Sequence, residues 1–202
     1  MIPTNLIPMV IEAEGGRERS FDIYSRLLRE RIVFVTGTIE DNMTSTLVAQ
    51  LLFLESEDAN KPIYMYVNSG GGVITSGLSL IDTMHFIKPK VSTLCMGQAC
   101  SMGAMILMNG EKGMRYSLPN SRVMLHQPSG GARGMASDIE IQYREIQKMK
   151  EMLNEMVVDR TGQPLDVVQK VMDRDTFQSA QEALDFGVID RIINRREDVS
   201  VL

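Results

Sequence analysis

Short apolar runs alternate with helical patterns along the first 125 residues. Each run is apolar almost throughout, which predicts strands of a sheet that is covered on both faces. The expected strands are RIVFVTG (31–37), PIYMYVN (62–68), VSTLCMG (91–97), MRYSL (114–118) and RVMLH (122–126). Helical spacing between them predicts helices over 41–57 with Asp41 at the N-cap, over 73–87 and over 101–109. This alternation is typical of an α/β fold built from βα units.

A long helical pattern follows, SDIEIQYREIQKMKEMLNEMVVDRTG, with Ser137 and Glu140 spaced as a capping box and Gly162 as its end. About 22 residues at ~1.5 Å each would form a rod of ~33 Å. One stripe of this helix is apolar and consists of Ile139, Ile146, Met149, Leu153, Met156 and Val157. The pattern leaves two interpretations open: a core helix along the sheet, or a projecting arm whose stripe another subunit covers.

The last part of the chain predicts a smaller helical region and one more strand. A short helix is expected over 165–173, followed by a loop, DRDTFQ (173–178). The next helix should begin with the capping box of Ser179 and Glu182 and end at Gly187. The strand VIDRIIN (188–194) closes the pattern.

Composition and charge narrow the class of protein. The 202 residues are 44% hydrophobic and 23% charged, as in one globular domain. A net charge of −5 without a basic cluster argues against nucleic acid or an acidic membrane as a partner. The first residues resemble neither a secretion signal nor a membrane span, so we expect a cytoplasmic protein. Two cysteines, Cys95 and Cys100, provide no disulfide framework, which fits a reducing compartment.

Ser101 is a candidate nucleophile. It lies in GQACSMGA, where a predicted strand turns into a helix, although the string lacks the first glycine of the G-x-S-x-G elbow. Serines also cap helices, so this segment alone is weak evidence. A serine needs a base, and the chain has two histidines. His85 lies among apolar residues of a predicted helix, whereas His126 ends a strand and opens the loop HQPSGGARG, which makes His126 the better candidate.

A glycine run, VNSGGGVITSG (67–77), lies between a predicted strand and helix. Consecutive glycines can turn their N–H groups towards an anion or an oxyanion, although the run is also compatible with a plain tight turn. Neither the phosphate-loop motif nor an intact G-x-G-x-x-G is present. A nucleophile, a base and oxyanion donors at the ends of neighbouring strands together indicate acyl transfer.

The acid that would orient the histidine is not determined by spacing. The aspartates after His126 are Asp138, Asp159, Asp166, Asp173, Asp175, Asp185, Asp190 and Asp198. Asp175 is mildly favoured, because it lies in an expected loop. Metal chemistry is poorly supported, since the two histidines are far apart and no Cys/His/Asp cluster accompanies them.

Several collinear segments resemble the proteolytic subunits of the Clp protease family. They are FDIYSRLLRERIVF, VNSGGGVITSG, GQACSMGA, LPNSRVMLHQPSGG, DIEIQYREI and DRDTFQSAQEALDFGVID, and the likeness runs from end to end. It implies a crotonase-like α/β fold of stacked ββα units with a protruding handle helix. It also implies a serine endopeptidase with Ser101 as nucleophile, His126 as general base and acid, and Asp175 as the orienting carboxylate.

The resemblance assigns further residues of the site. Gly72 and Met102 would provide the oxyanion-hole N–H groups. An extended substrate would pair with the backbone of Gly72, Val73, Ile74, Ser129, Gly130 and Gly131, a mode that suits low sequence specificity.

The resemblance also implies an assembly. Two stacked seven-membered rings of this subunit would enclose a chamber, with 132–162 as the handle between rings and 20–131 with 163–202 as the head. Residues 1–19 would form a propeptide, up to about Asn5, and an axial loop that includes LIPMVIE. AAA+ Clp ATPases of the ClpX, ClpA or ClpC type would unfold substrates and dock on pockets at Tyr64, Tyr66 and Phe86. No cofactor is expected in this subunit, because the partner uses the ATP.

Two residues depart from the family pattern, and two other functions stay open. Gly70 replaces a usual proline, which removes a constraint on φ and adds an N–H group. Cys100 replaces a usual alanine and is either a small buried side chain or an exposed thiol open to oxidation. One alternative is an acyl-CoA hydratase or isomerase of the same fold, which would need glutamates at the site. The other is a non-catalytic ring subunit, which would lack part of the triad.

Overall fold

A computed structural model describes residues 7–14 and 17–196. Its strands are β1 (Met9–Glu14), β2 (Arg17–Asp22), β3 (Ile32–Ile39), β4 (Ile63–Gly72), β5 (Val91–Cys100), β6 (Arg115–Ser117), β7 (Arg122–Leu125), β8 (Thr176–Ser179) and β9 (Arg191–Ile192). Its helices are α1 (Ile23–Arg29), α2 (Asp41–Glu57), α3 (Ile74–Phe86), α4 (Met102–Met108), α5 (Ala136–Thr161), α6 (Leu165–Met172) and α7 (Ala180–Phe186). The α/β class expected from the sequence is confirmed.

Strands β3 to β9 form one mostly parallel sheet. Its order is β3-β4-β5-β6-β9, and β7 pairs with β5 on one side and with β8 on the other. Only the β7–β8 pair of this sheet is antiparallel among the described residues. The buried runs of β3, β4 and β5 are rich in Val and Ile, which suits strands covered on both faces.

Helix α4 is the most deeply buried helix that follows a central strand. Every residue from Met102 to Met108 is buried, and the helix packs on β4 and β5 and against α3 and α5. Fully burying one large apolar side chain stabilises a fold by about 1.5–3 kcal/mol, so this helix anchors the core. The segment that begins at Ser101 therefore has little room to move.

Helix α5 is half packed and half exposed. Residues 136–145 are all exposed, whereas Leu153, Asn154 and Val157 are buried in the second half. Twenty-six residues at ~1.5 Å each give a length of ~39 Å. Of the two interpretations of the apolar stripe, the described residues favour an arm for its first half and a core helix for its second half.

Several boundaries differ from the expectations. Asp41 is the first residue of α2 and not its N-cap, which is Glu40. The N-cap of α5 is Met135, so Ser137 and Glu140 lie inside the helix and make no capping box there. The box of Ser179 with Glu182 is confirmed, and Gly187 ends α7 in the left-handed conformation.

The strand predictions need three corrections. The expected strand over 188–194 is reduced to Arg191–Ile192, because the sheet offers a short edge at β6. Residues 176–178, expected in a loop, belong to β8, a strand of four residues that forms by pairing with β7. The glycine run is not a separate loop either, because β4 continues through Gly70 and Gly71 to Gly72.

Before the sheet, β1 and β2 form an antiparallel hairpin that leads into α1. The expected axial-loop segment enters this hairpin at Met9. The expected propeptide up to Asn5 lies outside the described residues, as does Asp198.

Candidate active site

Ser101 connects β5 to α4 in a strained conformation. Its φ of 54° and ψ of −124° place a non-glycine residue in a region that side chains rarely adopt. This conformation is kept because Ser101 lies between strand β5 and the buried helix α4, which fix the chain before and after it. The Ser101 N–H also donates to Met124 O at 2.9 Å. Strained backbone of this kind clusters at functional sites.

The side chains of Ser101, His126 and Asp175 form one hydrogen-bonded chain. His126 Nε2 lies 2.9 Å from Ser101 Oγ, and His126 Nδ1 lies 3.0 Å from Asp175 Oδ1. A carboxylate can only accept, so Nδ1 carries the proton, and Nε2 is free to accept from the serine hydroxyl. The side chain of His126 is 26% exposed and lines the cleft of Ser101, whereas that of Asp175 is 63% exposed and does not line it.

Strand register explains how residues so far apart in the chain meet. Cys100 pairs with Met124 in the β5–β7 ladder, and Leu125 pairs with Thr176 in the β7–β8 ladder. The residues just beyond these pairs are Ser101, His126 and Asp175. The three side chains therefore meet because the ends of β5 and β7 and the start of β8 lie next to one another in the sheet.

The glycine strand packs directly against the serine. A Cβ at Gly71, whose φ is +99°, would lie 2.6 Å from Ser101 Cβ, closer than real contacts allow. A Cβ at Gly72 would lie 2.1 Å from Ile39 O. Both positions therefore require glycine, and the backbone of β4 reaches the nucleophile without a side chain in between.

A buried serine fixes this strand end. Ser69 Oγ donates to Gly37 O at 2.6 Å and accepts from the Gly71 N–H at 3.0 Å. Sequence reasoning missed Ser69 and Gly71, although the glycine run already indicated a close backbone approach.

One cleft unites most of the residues that the sequence pointed to. Gly72, Ile74, Met102, His126 and Ser129 line it together with Ser101. Val73, Gly130 and Gly131 adjoin these residues in the chain but are not among those that line the cleft. Met102 is the first residue of α4, so its N–H has no acceptor within the helix.

Most of the other residues that line the cleft are apolar, namely Met105, Leu125, Pro128, Leu153 and Met172, and Gln127 is the polar one. No carboxylate, lysine or arginine is among the described residues that line it. The cleft therefore suits an apolar side chain next to the serine. It lacks the glutamates that a hydratase or isomerase would need.

Cys100, next to the nucleophile, is buried. Its exposed fraction is 5%, and burial raises the pKa of its thiol. A protonated, buried thiol reacts slowly, which favours the first of the two interpretations, a small buried side chain.

A second pocket contains two of the three residues expected to bind a partner. Tyr64 and Tyr66 line it with Leu94, Tyr116 and Leu118. Phe86 is the last residue of α3, is 83% exposed and is not among the residues that line this pocket.

His85 lies at another place. Its Nε2 is 3.2 Å from Asn109 O and 3.1 Å from Arg160 Nη2, and it does not line the cleft of Ser101. The assignment of the base to His126 rather than His85 therefore agrees with the geometry.

Within residues 7–14 and 17–196, no three His, Cys, Asp or Glu side chains are grouped so that they could hold a metal ion. In the same ranges, none of the helices combines the length and the apolarity needed to cross a bilayer.

The family comparison agrees with the fold and with the site. A model described as Clp protease matches residues 14–196. This match covers the sheet, the cleft and α5, and it confirms the resemblance and the crotonase-like fold expected from it.

Proposed function

The chain belongs to the Clp protease family, and from this membership we propose that it is a serine endopeptidase that cuts unfolded polypeptides into short peptides. The hydrogen-bonded chain of Asp175, His126 and Ser101, at 3.0 and 2.9 Å, supports this proposal most directly. An acyl-CoA enzyme is disfavoured by the family match and by the lack of a carboxylate among the described cleft residues.

The proposed reaction has two halves. Ser101 Oγ attacks the carbonyl carbon of the scissile peptide while His126 Nε2 takes the hydroxyl proton. His126 then gives this proton to the leaving amine, and an acyl group remains on Ser101. In the second half, His126 takes a proton from water as the water oxygen attacks the acyl carbon. The ester bond to Ser101 Oγ then breaks, His126 returns the proton to Oγ, and the new carboxylic acid of the peptide leaves.

The proposed oxyanion donors are the backbone N–H groups of Gly72 and Met102. Both residues line the cleft beside Ser101, and donors aimed at the developing charge are worth about 10²-fold to 10³-fold each in kcat. The backbone of 72–74 and 129–131 would pair with the backbone of an extended substrate, so most substrate side chains would not be recognised.

Peptide hydrolysis by the assembled protein tests the proposed function. The substrate should carry an apolar residue before the scissile bond, because the walls next to Ser101 are apolar. We expect hydrolysis, and an activated ester should give a burst of product equal to the number of sites, as an acyl-enzyme requires. Failure to hydrolyse both peptides and esters in the assembled state would contradict the proposal.

Replacing Gly71 by alanine should lower kcat by about 10²-fold, because small misplacements of reacting groups cost this much. The new Cβ would lie 2.6 Å from Ser101 Cβ and 2.8 Å from Cys100 O, so the serine or the strand must shift. Gly113→Ala is the matched control, since Gly113 has a similar φ of +87° and nothing within 4 Å of its added Cβ. Equal kcat values for the two variants would contradict the packing argument.

We also propose the family assembly for this chain: two stacked seven-membered rings with 132–162 as handles, docked by a AAA+ Clp ATPase. The exposed apolar side chains Ile139, Ile141 and Tyr143 on the first half of α5 support a covered arm. The apolar pocket at Tyr64 and Tyr66 supports a docking site. We also propose that the protein acts in the cytoplasm, in protein quality control.

Sedimentation velocity tests both parts of this assembly. The chain alone should sediment as a two-ring particle, and addition of a AAA+ Clp ATPase with nucleotide should give a faster boundary. A monomer would contradict the rings, and an unchanged boundary would contradict docking of that ATPase.

A further inference from the structure

The side chain of Gln127 connects three parts of the site. Gln127 follows His126 directly, its Nε2 donates to Asp173 O at 2.6 Å, and its Oε1 accepts from Lys150 Nζ at 3.0 Å. Asp173 lies two residues before Asp175, and Lys150 lies on α5. One amide therefore joins the loop of the base, the loop of the acid and the long helix.

The orientation of this amide is determined by its partners. A flipped amide would set its oxygen against the Asp173 carbonyl and its NH₂ group against the Lys150 ammonium, and both contacts would be repulsive. Lys150 therefore keeps the donor of Gln127 directed at Asp173 O.

The acid loop needs such a connection. Asp175 is largely exposed, and the hydrogen bond described for its carboxylate is the one with His126. The Thr176 hydroxyl donates to the Val171 and Arg174 carbonyls, which orders the loop internally but does not join it to His126. The Gln127 amide joins it to the His126 side across a separation of 46 residues.

We propose that Gln127 is a positioning residue that holds Asp175 in line with His126 through the Asp173 carbonyl, with Lys150 orienting the amide. This inference rests on the proposed peptidase function. Gln127 acts through Asp175, and its removal lets the carboxylate drift into solvent. Because Gln127 also lines the cleft, a double-mutant cycle with Asp175 is needed to separate positioning of the carboxylate from substrate binding.

Kinetics of Gln127→Met and Gln127→Glu test the proposal. Methionine matches the length of the side chain but has no amide, and glutamate still accepts from Lys150 but cannot donate to Asp173 O. Both variants should lose about 10-fold to 100-fold in kcat, expressed per active site titrated with an activated ester. Lys150→Met should lower kcat in the same direction, whereas Lys148→Met, at an exposed position of α5, should not.

Gln163→Met is the matched control for the loss of the amide. Gln163 is also half-buried, and its Nε2 donates to a backbone carbonyl, Phe186 O, at 3.1 Å. We expect kcat of this variant to stay within about twofold of the wild-type value, as for a site remote from the reacting groups.

A double-mutant cycle separates positioning from plain structural support. In an Asp175→Asn background, Gln127→Met should have less than about a twofold further effect on hydrolysis of an activated ester, because its target is already lost. An equal loss in both backgrounds, or full activity of Gln127→Glu, would overturn the proposal. Inactive wild-type protein would instead contradict the peptidase function itself.

Discussion

Replacing Ser101 by alanine is expected to lower kcat for peptide hydrolysis by about 10⁴-fold or more. The proposed attack has no substitute for the Ser101 hydroxyl, which lies 2.9 Å from His126 Nε2. Residual turnover would come from the oxyanion donors and from substrate binding alone. The measurement is kcat on a fluorogenic peptide, with assembly checked by sedimentation.

Ser56→Ala is the control for this substitution. Ser56 is exposed on α2, and its hydroxyl donates to Phe53 O, so its loss should leave kcat unchanged. Near-normal turnover by Ser101→Ala, purified free of wild-type subunits, would show that another group is the nucleophile.

Replacing Asp175 by asparagine should lower kcat by a similar factor, about 10⁴-fold. Asparagine has nearly the shape of aspartate, but its NH₂ group can donate to His126 Nδ1. The imidazole would then carry its proton on Nε2 and could not accept the proton of Ser101. The loss should fall on kcat, with KM little changed, because Asp175 does not line the substrate cleft.

Asp185→Asn provides the matched control. Asp185 is an exposed carboxylate on α7 that accepts from Gln181 Nε2 at 2.8 Å. Its replacement by asparagine removes the same charge at a position that does not line the cleft. If Asp175→Asn retained kcat within about tenfold of the wild-type value, Asp175 would not be the orienting acid.

The sequence was most informative where burial is deepest. The apolar runs predicted β3, β4 and β5, although these strands continue beyond the predicted ends at 37, 68 and 97, and the helical spacing predicted α2 and α3 nearly to their ends. A strand that is buried on both faces is apolar along its whole length, and such a run can be recognised from the sequence alone.

The missed elements depend on pairing rather than on local pattern. Strand β8 has only four residues, too few for a clear pattern, and it exists because it pairs with β7. The β1–β2 hairpin is mostly exposed, so its sequence does not show one apolar face and one polar face. The capping box expected at Ser137 failed because α5 begins earlier, after Met135.

The candidate site was predictable in part. Ser101 and His126 stand out locally, at a strand end and before a glycine-rich loop. Asp175 was one of eight aspartates by spacing alone, because the register that brings it to His126 involves β8, which the pattern missed. The role proposed for Gln127 needed the structure, since its two partners lie 23 and 46 residues away.

Covalent labelling of the assembled protein with a fluorophosphonate, read by intact mass and peptide mapping, tests the account at its centre. We expect one adduct per subunit, located on Ser101, with peptide hydrolysis lost in proportion to labelling and with His126→Ala left unlabelled. An adduct on a different residue, or full hydrolysis by completely labelled protein, would contradict the proposed chemistry.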